Sequence, residues 1–432
     1  MAKNKKKKAK SIILTVLCLI LAFALITVGV NIVALNKCIE KGHSYEKVGY
    51  EAQLTPQKDE NGNWVFTTDR DFKILQITDV HIGGGYLSSG KDAKALNAVA
   101  TMITREKPDL VVVTGDIAYP VPVFSGTFNN KNGAKAFAEL MENLGVYWTL
   151  NFGNHDTEAY SFYSRKQISE FYLSDDYKYC LFETGPEDVD GFGNHTIEVK
   201  NSDGIITQAL VMIDSNAYTG GDVFGLMAKY DNIHENQVQW YKSEIERMNA
   251  ENTAAIKAVS DTSLQKEYSE KFSTVKSLAF FHIPLVETRD AWEEFAANGF
   301  KDTADFKYIE GIIGETGTQV CCGIGEDSFF ETVLELGSTK AIFNGHDHYN
   351  NTTFEYKGVT FSYGYSVDYL AYIGIAKYGS QRGCSLITST PDGDFTIEKY
   401  NYYSDRYNID GFEREDTEMQ FDGIEYEVPF EK

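Results

Sequence analysis

The amino-acid sequence predicts an α/β domain behind a single N-terminal transmembrane helix. Three observations carry this expectation. An uncharged apolar run stands close to the N-terminus, short apolar strands alternate with helical stretches after residue 70, and clusters of Asp, Asn and His each follow one of those strands. The 432 residues, 43% of them hydrophobic, suffice for a sizeable core.

Residues 1–10 hold six lysines and no acid, and read as a cytoplasmic basic tail. From Ile12 to Leu35 no charged residue occurs, and about 20 apolar residues are enough to cross a bilayer as a helix. Residues 11–35 are therefore assigned as a transmembrane signal anchor. Lysines on the near side keep that side cytoplasmic and put the bulk of the chain outside the cell membrane. A cleaved signal peptide is the rival reading. Its apolar core usually spans only about 7–15 residues and ends in a small-x-small site, which Asn31–Asn36 does not offer.

The net charge of -23 argues against a nucleic-acid partner, because phosphate backbones are held by Lys and Arg. The acidic excess reads as a solvated surface. Of the six cysteines, Cys18 lies in the anchor and Cys38 just beyond it, with Cys180, Cys321, Cys322 and Cys384 in the main domain. No C-x-x-C pair exists, so a thiolate zinc site is not expected. Buried thiols and disulfides both remain open.

Residues 36–70 read as a polar stalk, 71–403 as the main domain and 404–432 as a loosely packed acidic tail. Within the domain, Phe72–Thr78, Leu110–Thr114 and Val146–Asn151 are expected strands, separated by helices over Lys91–Glu106 and Ala134–Leu144. This rhythm suggests βαβ units with buried parallel strands. His195–Lys200 and Ile205–Ile213 flank a turn at Asn201–Gly204 and predict a hairpin. His234–Asn249 is amphipathic, and 250–276 reads as a polar surface insertion. Ser277–Phe281 and Lys340–Asn344 are further strands. Thr352–Tyr356 and Val359–Tyr363 form a second hairpin about Lys357-Gly358.

The chemistry sits where the strands end. Asp79-Val-His81 follows the first strand and Gly115-Asp116 the second. Gly153-Asn154-His155-Asp156 follows the third. His282 follows Ser277–Phe281, and Gly345-His346-Asp347-His348 follows Lys340–Asn344. Ligands bind at the carboxyl ends of strands in such sheets, so side chains from five loops can meet at one point. Imidazole, carboxylate and amide oxygen together suit divalent metals. Each cluster alone is a weak signal. The ordered set of five is a specific one.

That ordered set resembles the calcineurin-like metallophosphoesterase family over about residues 72–400. The resemblance implies a four-layer sandwich, two mixed sheets flanked by helices, and a binuclear centre of manganese, iron or zinc ions. It would place Asp79, His81 and His348 on one metal, Asn154, His282 and His346 on the other, and Asp116 between them. A hydroxide bridging the metals would attack a small phosphorylated substrate. His155 would face the phosphate and protonate the leaving oxygen, with Asp156 either orienting it or capping a local turn. Gly115-Asp-Ile-Ala-Tyr119 also matches a purple-acid-phosphatase motif in which the Tyr binds iron. With His81 present, Tyr119 is expected instead as a wall of the pocket. Tyr363, Tyr365, Tyr369 and Tyr372 are candidates either to line the cleft or simply to pack. Asp214-Ser215 is a further candidate neighbour of the site. The resemblance implies a phosphoesterase leaning to monoesters. A phosphodiesterase with the same site, or a non-catalytic surface binding protein, are the alternatives.

Overall fold

The computed structural model describes residues 2–220, 229–315, 319–325, 327–372, 375 and 382–412. Its strands in chain order are β1 (Gln57–Lys58), β2 (Trp64–Thr67), β3 (Phe72–Ile77), β4 (Leu110–Thr114), β5 (Trp148–Asn151), β6 (His195–Lys200) and β7 (Ile206–Met212). They continue as β8 (Ser277–Phe280), β9 (Phe306–Glu310), β10 (Thr339–Asn344), β11 (Thr353–Tyr356), β12 (Val359–Tyr363), β13 (Gly383–Ser389) and β14 (Phe395–Asn401). Two mixed sheets result. One has nine strands in the order β1-β2-β6-β7-β8-β10-β12-β11-β9, and the other five, in the order β14-β13-β3-β4-β5.

The two-residue period of a strand explains how the layers stack. In β4, Leu110 and Val112 join Phe72, Ile74, Leu210, Leu278 and Phe343 in a core drawn from both sheets. Val111 and Val113 point the other way, against residues of α2 (Ser89–Glu106) and α4 (Asn130–Leu144). The nine-stranded sheet turns its outer face to α6 (Glu235–Ala258), α8 (Val286–Ala297) and α9 (Phe329–Leu336). The expected four-layer sandwich is thus present, and strands buried on both faces account for the unbroken apolar runs.

Three boundaries differ from expectation. Residues 36–70 are no free stalk. Cys38, Tyr45 and Val48 join the core against α2 and α4, and Trp64–Thr67 extends the larger sheet by pairing in parallel with β6. The polar residues that suggested a stalk alternate with these apolar anchors. Residues 404–412 pack as well. Tyr407 is buried, Arg406 makes two 2.6 Å hydrogen bonds to Glu106, and Phe412 stacks on Tyr45. The remainder of the expected tail, 413–432, lies outside the described residues. The supposed insertion at 250–276 continues α6 and then forms α7 (Thr262–Phe272), with Ile256 and Phe272 closing over Ile205. Among the described residues no disulfide forms, and all six cysteines are free.

Between the layers, His195 on β6 is buried, and its Nδ1 lies 2.8 Å from the Gly193 carbonyl and its Nε2 2.8 Å from the Thr149 hydroxyl. The neutral ring satisfies both contacts, donating at Nδ1 and accepting at Nε2. Burial pushes its pKa down from 6.5 to about 4. A depressed folded-state value for a base means that the stabilisation is complete above pH 6.5 and drains away as pH falls toward about 4. The loss is on the order of 3 kcal/mol for this one group. In urea unfolding measured across that range, the stability gap between the wild type and His195→Gln should narrow steadily as pH falls.

α1 (Ala2–His43) is a single 42-residue helix. Its apolar side chains from Ile12 to Val33 are exposed, and it is the one helix among the described residues long and apolar enough to span a membrane. Its C-terminal part docks on the domain. Asn31 bridges two loops there, accepting from the Tyr86 amide at 2.9 Å and donating to the Gly126 carbonyl at 3.0 Å.

Candidate metal centre

The five loops converge. β3, β4 and β5 deliver Asp79, His81, Asp116, Asn154 and His155 from the smaller sheet, and β8 and β10 deliver His282, His346 and His348 from the larger one. Ligand atoms of Asp79, His81, Asp116 and His348 all lie within 4.8 Å of one another, and a second group of Asp116, His282 and His346 meets the same limit. Asp116 belongs to both. Its Oδ2 stands 3.1 Å from His81 Nε2 and 3.2 Å from His282 Nε2, while Oδ1 accepts the His155 backbone amide at 2.8 Å. Asn154 Oδ1 lies 3.2 Å from His282 Nε2, and His346 Nδ1 lies 3.3 Å from the same nitrogen. On the other side, His348 Nε2 is 3.4 Å from Asp79.

The local chain is bent to achieve this. Asp79, His81, Asp116 and His346 all hold positive φ, between 50° and 78°, a region that side-chain-bearing residues seldom occupy and that clusters at functional sites. Two glycines permit the approach. A Cβ on Gly115 would lie 2.4 Å from the His282 ring, and one on Gly153 would lie 2.1 Å from Asp116 Oδ1.

Electrostatics favour cation binding. Burial alone would raise the Asp116 pKa, yet the facing imidazoles of His282 and His155 hold it well below the ordinary carboxylate range. Burial, reinforced by His282, pushes the His346 pKa well down and keeps that ring neutral. Two buried imidazole nitrogens facing each other across 3.3 Å, beside a shared carboxylate, form a donor set that fits metal ions.

Three residues support the cluster without having been singled out in the sequence. Buried Asp368 lies 3.2 Å from His348 Nδ1 and 3.5 Å from His81 Nδ1, so both rings turn Nε2 toward the centre. It is fixed in turn by the backbone amides of Leu370 and Ala371. Carboxylates behind metal-binding histidines orient the ring and raise its basicity. Asp368→Asn should therefore weaken metal binding about 10–100-fold, read by calorimetric titration of the metal-stripped protein, with circular dichroism unchanged.

The second is Glu158, whose Oε1 lies 2.6 Å from His155 Nδ1. The third is Tyr218, which donates to Glu158 at 3.0 Å and accepts from Asn154 at 2.8 Å. Glu158 corrects the role first considered for Asp156. The Asp156 carboxylate instead accepts the backbone amides of Asp116, Ala118 and Gly153, pinning two of the metal loops together. The reason is local. His155–Thr157 is a single 3-10 turn, which aligns residue i with i+3 and so sets Glu158, not its neighbour, beside His155.

The aromatic expectations resolve similarly. Tyr119 stacks on His81 at 4.8 Å and meets His155 edge-on at 4.9 Å, forming a wall of the site. Of the four later tyrosines, Tyr372 covers His348 at 4.2 Å. Tyr363 is buried with its hydroxyl on Asp347, Tyr365 is buried, and Tyr369 packs under Arg382. Much of the Tyr363–Gly383 stretch, 373–374 and 376–381, lies outside the described residues. Asp214 acts at one remove. It holds Arg165 at 2.6 Å, and Arg165 donates to the Gly153 carbonyl. Ser215 accepts the Ile283 amide next to His282.

Fold and site together define a dinuclear phosphoesterase architecture, and the chain belongs to the calcineurin-like phosphoesterase family, which matches residues 72–350. Among curated proteins it is similar to "Probable inactive purple acid phosphatase 28" of Arabidopsis thaliana, with 29% identity over 71% of this chain and 73% of that one. It is also similar to "Phosphatase DCR2" of Saccharomyces cerevisiae, with 28% identity over 66% of this chain and 45% of that protein. A solved dimetal phosphatase from Danio rerio aligns over 77% of this chain and 97% of its own, with 13% identity and a TM-score of 0.45.

Proposed function

We propose that this protein is a membrane-anchored, metal-dependent phosphomonoesterase whose catalytic domain lies outside the cytoplasm. The observation that carries the reading is the sharing of Asp116 between two groups of metal-type ligands, with His155 held beside them. In this reading Asp79, His81, His348 and Asp116 would hold one ion, and Asn154, His282, His346 and Asp116 would hold the other. Such ions supply Lewis acidity, which activates water and offsets negative charge on the phosphoryl oxygens. The chain's own residues do the rest. Asp116, shared by both ligand groups, would balance the charge of the cations they hold. Glu158 fixes His155 by its Nδ1, so Nε2 is left to hold a proton for the leaving oxygen. The stacked Tyr119 ring limits rotation of His81 and walls the cleft against water. The apolar helix and the lysines before it support anchoring, with the N-terminus inside.

A non-catalytic reading finds support in the name of the Arabidopsis relative, which describes that protein as "Probable inactive". Against it stand the seven candidate ligands and His155, all present here and drawn together. Steady-state hydrolysis of an aryl phosphate and a bis-aryl phosphate by manganese-loaded full-length protein separates the readings. A monoester preference is expected. A diester preference would reverse the substrate assignment, and no turnover of either would leave the binding protein.

A further inference from the structure

The anchor and the site are joined by an apolar surface. Six side chains around the loops that Asn31 bridges are exposed although hydrophobic: Tyr86, Leu87, Val123, Phe124, Phe128 and Phe162, at 40–74% of their full accessibility. They form one patch. Tyr86 packs over Gly126, the Leu87 amide donates to the Ser125 carbonyl, and Phe128 stacks on Phe162 at 6.0 Å. At its inner edge Phe124 lies 6.1 Å from Tyr119, the ring that touches both His81 and His155.

The position of the patch along the bilayer normal follows from the helix. Ile12 to Val30 rises about 29 Å at 1.5 Å per residue, close to the roughly 30 Å hydrocarbon thickness. The next residue, Asn31, is the one bonded to Tyr86 and Gly126. The exposed apolar run ends two residues further on, at Val33, so in the anchored reading the loops that Asn31 holds lie at the lipid surface. Contiguous exposed apolar side chains are a mark of such contact, and aromatic rings are enriched at the interface.

We propose that this patch seats in the outer face of the lipid bilayer and that the site takes a bilayer-borne phosphomonoester, whose chains stay in the membrane while its phosphate reaches the metal centre along Phe124 and Tyr119. The substrate half of this rests on the phosphomonoesterase reading above. Water adds to phosphorus, the phosphorus–oxygen ester bond breaks, and the lipid alkoxide takes a proton, so the products are inorganic phosphate and a membrane alcohol.

Two measurements on the full-length protein in phosphatidylcholine vesicles test it. In the first, Trp is introduced as Phe162→Trp, with Leu264→Trp on the distant α7 as the control. Brominated lipid should quench the added emission of Phe162→Trp by more than half and leave that of the control unchanged. Equal quenching of the two would overturn the seating of the patch. In the second, vesicle-borne dioleoyl phosphatidate is compared with soluble p-nitrophenyl phosphate. The double change Val123→Asp with Phe162→Asp should lower lipid turnover at least tenfold and soluble turnover by less than twofold. Equal losses on the two esters, or wild-type turnover of the soluble ester alone, would overturn the delivery route. Failure of the wild type on both would remove the phosphomonoesterase reading and the lipid substrate with it, while the quenching result would still decide where the patch lies.

Discussion

Asp116→Asn should reduce phosphate release on the order of 10³-fold, the scale seen when a charged or polar group that offsets transition-state charge is removed, and it should leave the fold intact. The amide is nearly the same size, and its carbonyl oxygen can still accept the His155 backbone amide that Oδ1 now accepts at 2.8 Å. What disappears is the negative charge between two groups of imidazoles. Two cations about 3.5–4 Å apart repel each other strongly without an anionic bridge. Metal content measured on the purified variant should therefore fall below that of the wild type along with activity. A variant that keeps full metal content and full turnover would show that Asp116 does not join the two groups.

Loss of His155 should be nearly as severe, but in a way that depends on the substrate. His155→Ala should lower kcat for phenyl phosphate by about 10²–10⁴-fold, the usual contribution of a positioned general acid. With 2,4-dinitrophenyl phosphate, whose leaving group departs without a proton, most of the loss should vanish. Glu158→Gln should show the same dependence on leaving group at smaller amplitude, because the carboxylate acts through the imidazole that it holds at 2.6 Å. Equal losses on both esters would indicate that His155 binds the phosphate and does not protonate the leaving oxygen.

These side chains differ in how readable they were. Every candidate metal ligand follows the carboxyl end of a strand buried on both faces, such as β4 with its five buried residues. Each cluster of Asp, Asn or His after an apolar run is a weak signal by itself, and the five in order make the set legible from the sequence. Glu158 leaves a fainter trace. Its spacing of three from His155 suits a 3-10 turn, but nothing in the sequence distinguishes that turn from a local turn capped by Asp156. Asp368 lies in a Tyr- and Gly-rich stretch with no strand of its own, and it reaches the site because Ser366 bridges to Thr78 at the end of β3. Tyr218 carried no local signal, since its role depends on Asn154 and Glu158, both about 60 positions away.

The fold shows the same division. The strands with unbroken apolar runs were readable to within a residue or two. β13 and β14 carry weaker signals: β13 is buried but breaks its apolar residues with Gly383, Ser385, Thr388 and Ser389, and β14, at the sheet edge, has one largely exposed face and a mixed burial pattern. The stalk was misjudged for a related reason. Its anchors Cys38, Tyr45, Val48 and Phe66 are few and scattered through a mostly polar stretch, so their burial is decided by α2, α4 and β6, partners far away in the chain.

The most direct test of the account is anomalous diffraction from crystals of the manganese-loaded protein. Two peaks about 3.5–4 Å apart are expected, one among Asp79, His81 and His348, the other among Asn154, His282 and His346, with Asp116 touching both. A single peak, or a pair with Asp116 bound to only one ion, would contradict it.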